Sequence, residues 1–317
     1  MTGAQVVALG GGHGLYASLR ALRSVADGIT AIVTVADDGG SSGRLREELG
    51  IVPPGDLRMA LSALCEDTDW GITWRDVLQT RFSSEGPLDG HAVGNLLIAA
   101  LWSHTGGVVE GLDWVARLLR AQGRVLPLSD EPIVVSARVA GEDGDYLAVG
   151  QVAVATARGR VLGLSLEPSN PHVPAATLEA IADADAVVLG PGSWYTSVLT
   201  HFLVPDVARA LVAASRRSIL TLNIAHLDVE TEGTDRTDDI AALRALAPGF
   251  VPAVVLADSM HGAEHRLVDA VAEWGPRLVV ADLCSVGAPD RHDPERLGAE
   301  IARAINQLAT DGAAASR

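Results

Sequence analysis

The chain has 317 residues, 48% of them hydrophobic, enough for one large α/β domain or two small ones. A formal net charge of −16 and an aromatic content of 4% argue against a duplex nucleic-acid partner, whose phosphates need a basic face, and against a stacking platform for single strands. No stretch approaches the ~20 consecutive apolar residues of a membrane span, and the amino-terminal residues form no basic, cleavable leader, so no membrane insertion and a cytoplasmic location are expected.

In chain order, residues 5–9 read as a strand that stops at Gly10-Gly-Gly-His-Gly14. Leu15 to Val25 follows as an amphipathic helix with Leu15, Leu19 and Leu22 on one face. Glycines between a strand and a helix let backbone N–H groups approach a phosphate, which makes Gly11, Gly12 and His13 candidate anion contacts. A tight turn is the plainer alternative, because the run is not a complete G-x-G-x-x-G. A second strand, 29–35, runs into Asp37-Asp38-Gly-Gly-Ser-Ser-Gly-Arg44, too polar and glycine-rich for a simple connection. The paired carboxylates Asp37 and Asp38, with Ser41 and Ser42, suit a hard cation such as magnesium or sugar hydroxyls, and Arg44 suits a bidentate anion contact. An acid at this point also suits a dinucleotide ribose, while a solvated loop with Ser42 as a helix cap asks for no ligand at all.

Pro53-Pro-Gly-Asp-Leu-Arg58 precedes a helix, with Asp56 as its N-cap or as a ligand group and Arg58 as an anion contact or surface residue. His91 to Trp102 reads as a mostly apolar, buried helix whose start carries His91 and Asn95 on one face, at a site rim or as a buried polar pair. Leu112 to Ala121 is a further helix, ended by Gly123. Across 132–166 the period changes to short alternating runs between Gly/Asp turns, which predicts an inserted antiparallel β excursion. A helix over 175–182 and a strand over 185–189 lead to Gly190-Pro-Gly-Ser-Trp-Tyr-Thr-Ser197, where Gly190, Gly192, Ser193 and Thr196 suit a second anion-binding turn. Then come a helix over 204–214 and a strand over 218–223 that ends at Asn223. The polar run Glu230–Asp235 follows, then a strand over 253–257 with Asp258 at its end, a helix over 264–273 and a strand over 278–280. A closing helix runs from Gly298 or earlier to Leu308, and a disordered tail is expected over 311–317. The pattern predicts one Rossmann-like domain over 1–317, a doubly wound, mainly parallel α/β sheet with its strand-end loops on one rim.

All 24 basic residues are arginine. A Walker-type phosphate lysine and a Schiff base are therefore impossible, and phosphate must be met by backbone N–H groups, helix N-termini, arginine or a metal. Cys65 and Cys284 stand alone, so neither a disulfide framework nor a zinc site is indicated.

Five segments together resemble the YvcK family, the gluconeogenesis factors, within the superfamily of the 2-phospho-lactate transferase CofD. They are Gly10–Leu15, Thr34–Arg46, Pro53–Arg58, His91–Leu96 and Gly190–Ser197, with Thr231-Glu-Gly-Thr and Arg291-His-Asp293 as weaker matches. The resemblance spans essentially the whole chain. It implies a cytoplasmic, Rossmann-like protein that binds a UDP-sugar, UDP-N-acetylglucosamine or UDP-glucose, and that is linked to cell shape and wall synthesis during growth on gluconeogenic carbon. It implies no established cofactor or catalytic activity, and leaves room for magnesium, a homodimer, and cell-wall-synthesis or kinase partners. By motif it assigns binding to Gly11, Gly12, Asp37, Asp38, Ser41, Gly190, Gly192, Ser193 and Arg291. The chain departs from the family pattern at His13, at Trp194, which suits stacking on a base or packing beneath the turn, and across 223–233. A CofD-like, magnesium-dependent phospho-lactyl-type transferase is the alternative function. A nicotinamide dehydrogenase ranks third, because the glycine fingerprint is incomplete and no acid/base pair for hydride transfer stands out.

Overall fold

The computed structural model describes residues 3–224, 235–260 and 264–315. Uninterrupted apolar runs such as Val6-Val7-Ala8-Leu9 and Ala186-Val-Val-Leu189 suit strands covered on both faces. They form the middle of a seven-stranded sheet. Its first strands are β1 (Gln5–Gly10), β2 (Gly28–Val33) and β3 (Arg124–Pro127), with helix α1 (Gly12–Leu22) joining β1 to β2. Between β2 and β3 lie α2 (Gly40–Leu49), α3 (Gly55–Leu64), α4 (Asp69–Gln79), α5 (Val93–Thr105) and α6 (Val108–Leu119).

The expected antiparallel excursion is a three-stranded sheet of β4 (Val134–Gly141), β5 (Gly144–Val149) and β6 (Arg160–Glu167), in the order β5-β4-β6, with a short α7 (Gln151–Ala155) between its last two strands. Then α8 (Ala175–Asp183) leads to β7 (Ala186–Leu189) and a π-helical turn, Trp194–Val198. The order continues with α9 (Thr200–Leu203), α10 (Pro205–Ala213), β8 (Ser218–Thr221), α11 (Arg236–Leu246) and β9 (Val254–Asp258). The chain closes with α12 (His265–Trp274), β10 (Arg277–Ala281), a small hairpin of β11 (Cys284–Ser285) and β12 (Ala288–His292), and α13 (Pro294–Ala315).

The large sheet has the order β10-β9-β8-β7-β1-β2-β3 and every neighbouring pair is parallel. From β1 the chain winds outward through β2 to β3, then returns to β7 and winds outward the other way. The reversal between β1 and β7 is the switch point at which such sheets open a crevice beyond the strands' carboxyl ends. Helices cover both faces. Leu15, Leu19 and Leu22 bury the expected stripe of α1, and α1 packs on α3 and α13. One hydrophobic core runs from Val187 and Leu189 in the large sheet to Val135, Ala137 and Leu166 in the small one.

Several elements differ from the sequence reading. β3 has only Val125 and Leu126 between Arg124 and Pro127, too short an apolar run to read as a strand. Of the polar loop read over 37–44, residues from Gly40 onward are the first half of α2, for a reason that lies at the start of α5. The closing helix starts at Pro294 and continues through Ala315, past the point where a disordered tail was expected. Alanine, the strongest helix former, dominates that end.

Candidate functional site at the strand switch point

The Gly10–Gly14 turn after β1 and the Gly190–Ser193 turn after β7 are packed against each other at the switch point. A Cβ on Gly14 would lie 2.2 Å from the Pro191 carbonyl oxygen and 2.5 Å from Gly192 Cα, so only glycine permits the approach. Ser18, one turn along α1, donates from its hydroxyl to the Gly190 carbonyl at 2.9 Å. Gly11 and Gly12 open α1, and His13 is exposed on its first turn.

Asp56 is also part of this meeting. It sits in the first turn of α3, whose N-cap is Pro54. Its carboxylate is not the helix cap that the sequence suggested; it accepts from the Gly12 N–H and the Thr34 hydroxyl instead. A Cβ on Gly11 would come within 2.6 Å of both Asp56 Oδ2 and Thr34 Oγ1, and within 3.2 Å of Ser197 Oγ. Burial, then the nearby charge of Asp37, push the Asp56 pKa up to about 7, against the pull of the Gly12 N–H, Arg58 and Thr34. An acid that titrates near neutrality beside a glycine turn can hold or release a proton as a charged ligand arrives.

Adjacent in sequence, Asp37 and Asp38 part in space. Asp37 Oδ1 accepts from the Gly39 N–H at 2.9 Å, and its charge is felt by Asp56. Asp38 is exposed and accepts from the Val152 N–H at 2.9 Å, capping α7 of the inserted sheet. Among the described residues no group of three or more His, Cys, Asp or Glu side chains is placed to hold a metal ion. The Asp37–Asp38 pair does not offer magnesium two convergent carboxylates, because Asp38 is turned to α7.

Ser41, Ser42, His91 and Asn95 come together, but inside the protein. The Ser41 hydroxyl oxygen accepts from Asn95 Nδ2 at 3.0 Å and from the Ala92 N–H at 3.3 Å, and lies 3.1 Å from His91 Nδ1. With two donors arriving at that oxygen, its own proton is directed to His91 Nδ1, which fixes a neutral imidazole. Burial, and then Arg44, lower the His91 pKa accordingly. Asn95 Nδ2 also reaches Ser42 Oγ at 3.5 Å. This node ties the first turn of α2 to the start of α5, and it is why a Gly/Ser-rich run is helical. Arg44 is exposed and donates to the carbonyls of Pro87 and Asp89, bracing the turn before α5. Arg58 is buried and donates to Gln79 Oε1 at 2.6 Å and the Leu78 carbonyl at 3.4 Å. Burial lowers its pKa to about 10.

On the β7 side, the hydroxyls of Ser193 and Thr196 lie 2.5 Å apart. Asn223, just past β8, grips Gly192 at both main-chain atoms: its Oδ1 accepts from the Gly192 N–H at 2.9 Å, and its Nδ2 donates to the Gly192 carbonyl at 2.8 Å. Trp194 is 1% exposed, and its indole N–H donates to the Asp239 carbonyl at 3.1 Å. It packs beneath the turn and presents no face to a base. Arg291 lies on β12 with its side chain 79% exposed, 3.9 Å from Asp290. The polar run 230–234 and the Thr231-Glu-Gly-Thr match lie outside the described residues.

The sequence reading passed over Thr34, Ser18 and Arg236 as site residues. Ser18 carries a usable signal, since it lies one helical turn after Gly14. Thr34 lies inside the second motif but before its conspicuous carboxylates. Arg236 has no local signal, because its partners, the Asn223 and Ile224 carbonyls, are main-chain atoms of an earlier segment.

A mainly parallel, doubly wound sheet with two glycine turns in contact at its switch point defines a Rossmann-like α/β protein. The sequence profile described as 2-phospho-L-lactate transferase CofD matches residues 6–291. The chain is 40% identical over 238 residues to the gluconeogenesis factor of Halalkalibacterium halodurans, covering 75% of this chain and 72% of that protein. It is 36% identical over 253 residues to the gluconeogenesis factor of Bacillus subtilis, covering 80% and 78%. A Mycobacterium tuberculosis protein that bears this name provisionally is 44% identical over 304 residues, covering 93% and 89%. A crystal structure of a UPF0052 family protein from Bacillus halodurans superimposes with a TM-score of 0.85 at 33% identity, covering 95% of this chain and 99% of that one. The chain belongs to the CofD/YvcK family, among the gluconeogenesis factors. Among the described residues no helix is long and apolar enough to cross a membrane.

Proposed function

We propose that this protein binds a nucleotide sugar, UDP-N-acetylglucosamine or UDP-glucose, in the crevice between β1 and β7, and acts as a regulator of cell shape and wall synthesis on gluconeogenic carbon. The observation that supports the reading is the contact of the Gly10–Gly14 and Gly190–Ser193 turns, which brings the start of α1 close to the turn that carries the Ser193–Thr196 hydroxyl pair. Helix N-termini and main-chain N–H groups receive phosphate without lysine, which this chain lacks. Asp37 is the carboxylate best placed for ligand hydroxyls or for a magnesium ion accompanying a diphosphate. Arg44, Arg58, His91 and Asn95 support the rim from behind, through the loop and helix ends they hold.

Calorimetric titration of the folded protein with UDP-N-acetylglucosamine and UDP-glucose tests the reading. Saturable heat with at least one is expected, and none with either defeats it. The second reading, a CofD-like transferase, is favoured by one observation. Asp56, buried against the Gly11–Gly12 turn with its pKa pushed up to about 7, titrates in the range a general acid/base group needs. Turnover of a deazaflavin acceptor with a nucleotide-activated phospholactate would put that reading first.

A further inference from the structure

Arg236 is the first residue of α11 and is 9% exposed. Such burial is costly for an arginine unless charge and hydrogen bonds compensate it. Burial draws its pKa down, and Glu264, Asp239, Asp235 and Asp258 around it draw it back up. Asp235 caps α11 and also pairs with Arg266 of α12 at 2.8 Å, which fixes the start of the helix.

Among these acids the guanidinium also donates to the main chain. Nε donates to the Asn223 carbonyl at 2.9 Å, and one terminal nitrogen donates to the Ile224 carbonyl. Two consecutive carbonyls just beyond β8 are thus satisfied by one planar fork, a geometry that an ammonium cannot reproduce. The same Asn223 uses its side chain to hold both main-chain atoms of Gly192. Gly192 has φ +149°, in the left-handed half of the map, so an external grip is needed to hold one conformation there.

We propose that Arg236 is a positioning residue of the site: through the Asn223 main chain and then the Asn223 amide, it holds the Gly190–Ser193 turn in its ligand-receiving form. The ligand part of this proposal rests on the nucleotide-sugar reading; the mechanical part does not.

The test uses the full chain and two variants, Arg236→Lys and Arg236→Gln, with Asn223→Ala added to each. Amide hydrogen exchange is followed in the unliganded protein, and affinity is measured with UDP-N-acetylglucosamine. Arg236→Lys keeps the charge among the four acids and loses the fork. Exchange over 190–193 is expected to quicken roughly tenfold or more while β7 and β8 exchange as in wild type, and affinity to fall about tenfold. Adding Asn223→Ala should then cost nothing more, because both changes cut one chain of contacts. Wild-type exchange over 190–193 in both variants, or quickening spread evenly over the sheet, overturns the proposal. If Arg236→Lys does not fold, Arg236→Gln gives the same readout. If wild-type protein binds no UDP-N-acetylglucosamine, the nucleotide-sugar reading falls and the exchange result still decides the role of Arg236.

Discussion

Asp56 is disfavoured as an anion by burial and by Asp37, so its folded-state pKa of about 7 lies well above the ordinary 3.8. Between those values the folded protein keeps a proton that the unfolded chain releases. This group's contribution to stability therefore falls as pH rises from about 4 to about 7, with a slope of at most ~1.4 kcal/mol per pH unit. The stability difference between Asp56→Asn and wild type, from urea unfolding at several pH values, should grow in favour of the variant across that window and level off above it. A flat difference would mean that Asp56 is ionised throughout. The neighbouring acids separate in the same way. Asp38→Ala removes the acceptor for the Val152 N–H and should cost about 1 kcal/mol of stability, as a lost cap does, with nucleotide-sugar affinity unchanged. Asp37→Asn should do the reverse, weakening calorimetric binding while the melting temperature of the unliganded protein stays nearly unchanged.

Among the elements, α2 shows most clearly why a local reading stops short. Gly40-Ser-Ser-Gly43 has poor helix propensity and reads as a loop. It is helical because the Ser41 hydroxyl is tied to His91, Ala92 and Asn95 at the start of α5, some fifty residues on. Ser41→Ala leaves these buried groups without that partner and should destabilise the fold by roughly 2–3 kcal/mol, measured by urea unfolding. Little change would mean that water enters and replaces the hydroxyl. Trp194 was open between stacking and packing from its position alone. The π-helical turn and the Asp239 carbonyl direct it into the core. Five of the six strands marked by apolar runs were legible because strands buried on both faces must be apolar throughout, and the edge strand β10 still carries Leu278-Val279-Val280. β3 and the β11–β12 hairpin were not, since the Val125-Leu126 run of β3 stops at Pro127 and the hairpin residues are mixed or polar.

At the scale of the whole molecule, the small antiparallel sheet shares its core with the large one, through Val135, Val139 and Leu166, and Asp38 links its helix α7 to the rim. Such continuity makes cooperative unfolding the expectation. Differential scanning calorimetry should show one transition; two resolved transitions would mean that residues 132–166 unfold as a separate unit. The sequence by itself determined the α/β class, the strand-end positions of both glycine turns, and the absence of any lysine with which to meet a phosphate. Those follow from local periodicity, from chain punctuation and from which side chains exist at all. Only the tertiary structure decided which of the candidate residues meet: Gly14 with Pro191, Asp56 with Gly12 and Thr34, Asn223 with Gly192, and Asp38 with α7 instead of Asp37. Each of these contacts joins segments far apart in the chain, and the direction of a polar side chain is set by whichever buried donor or acceptor the fold leaves to be satisfied.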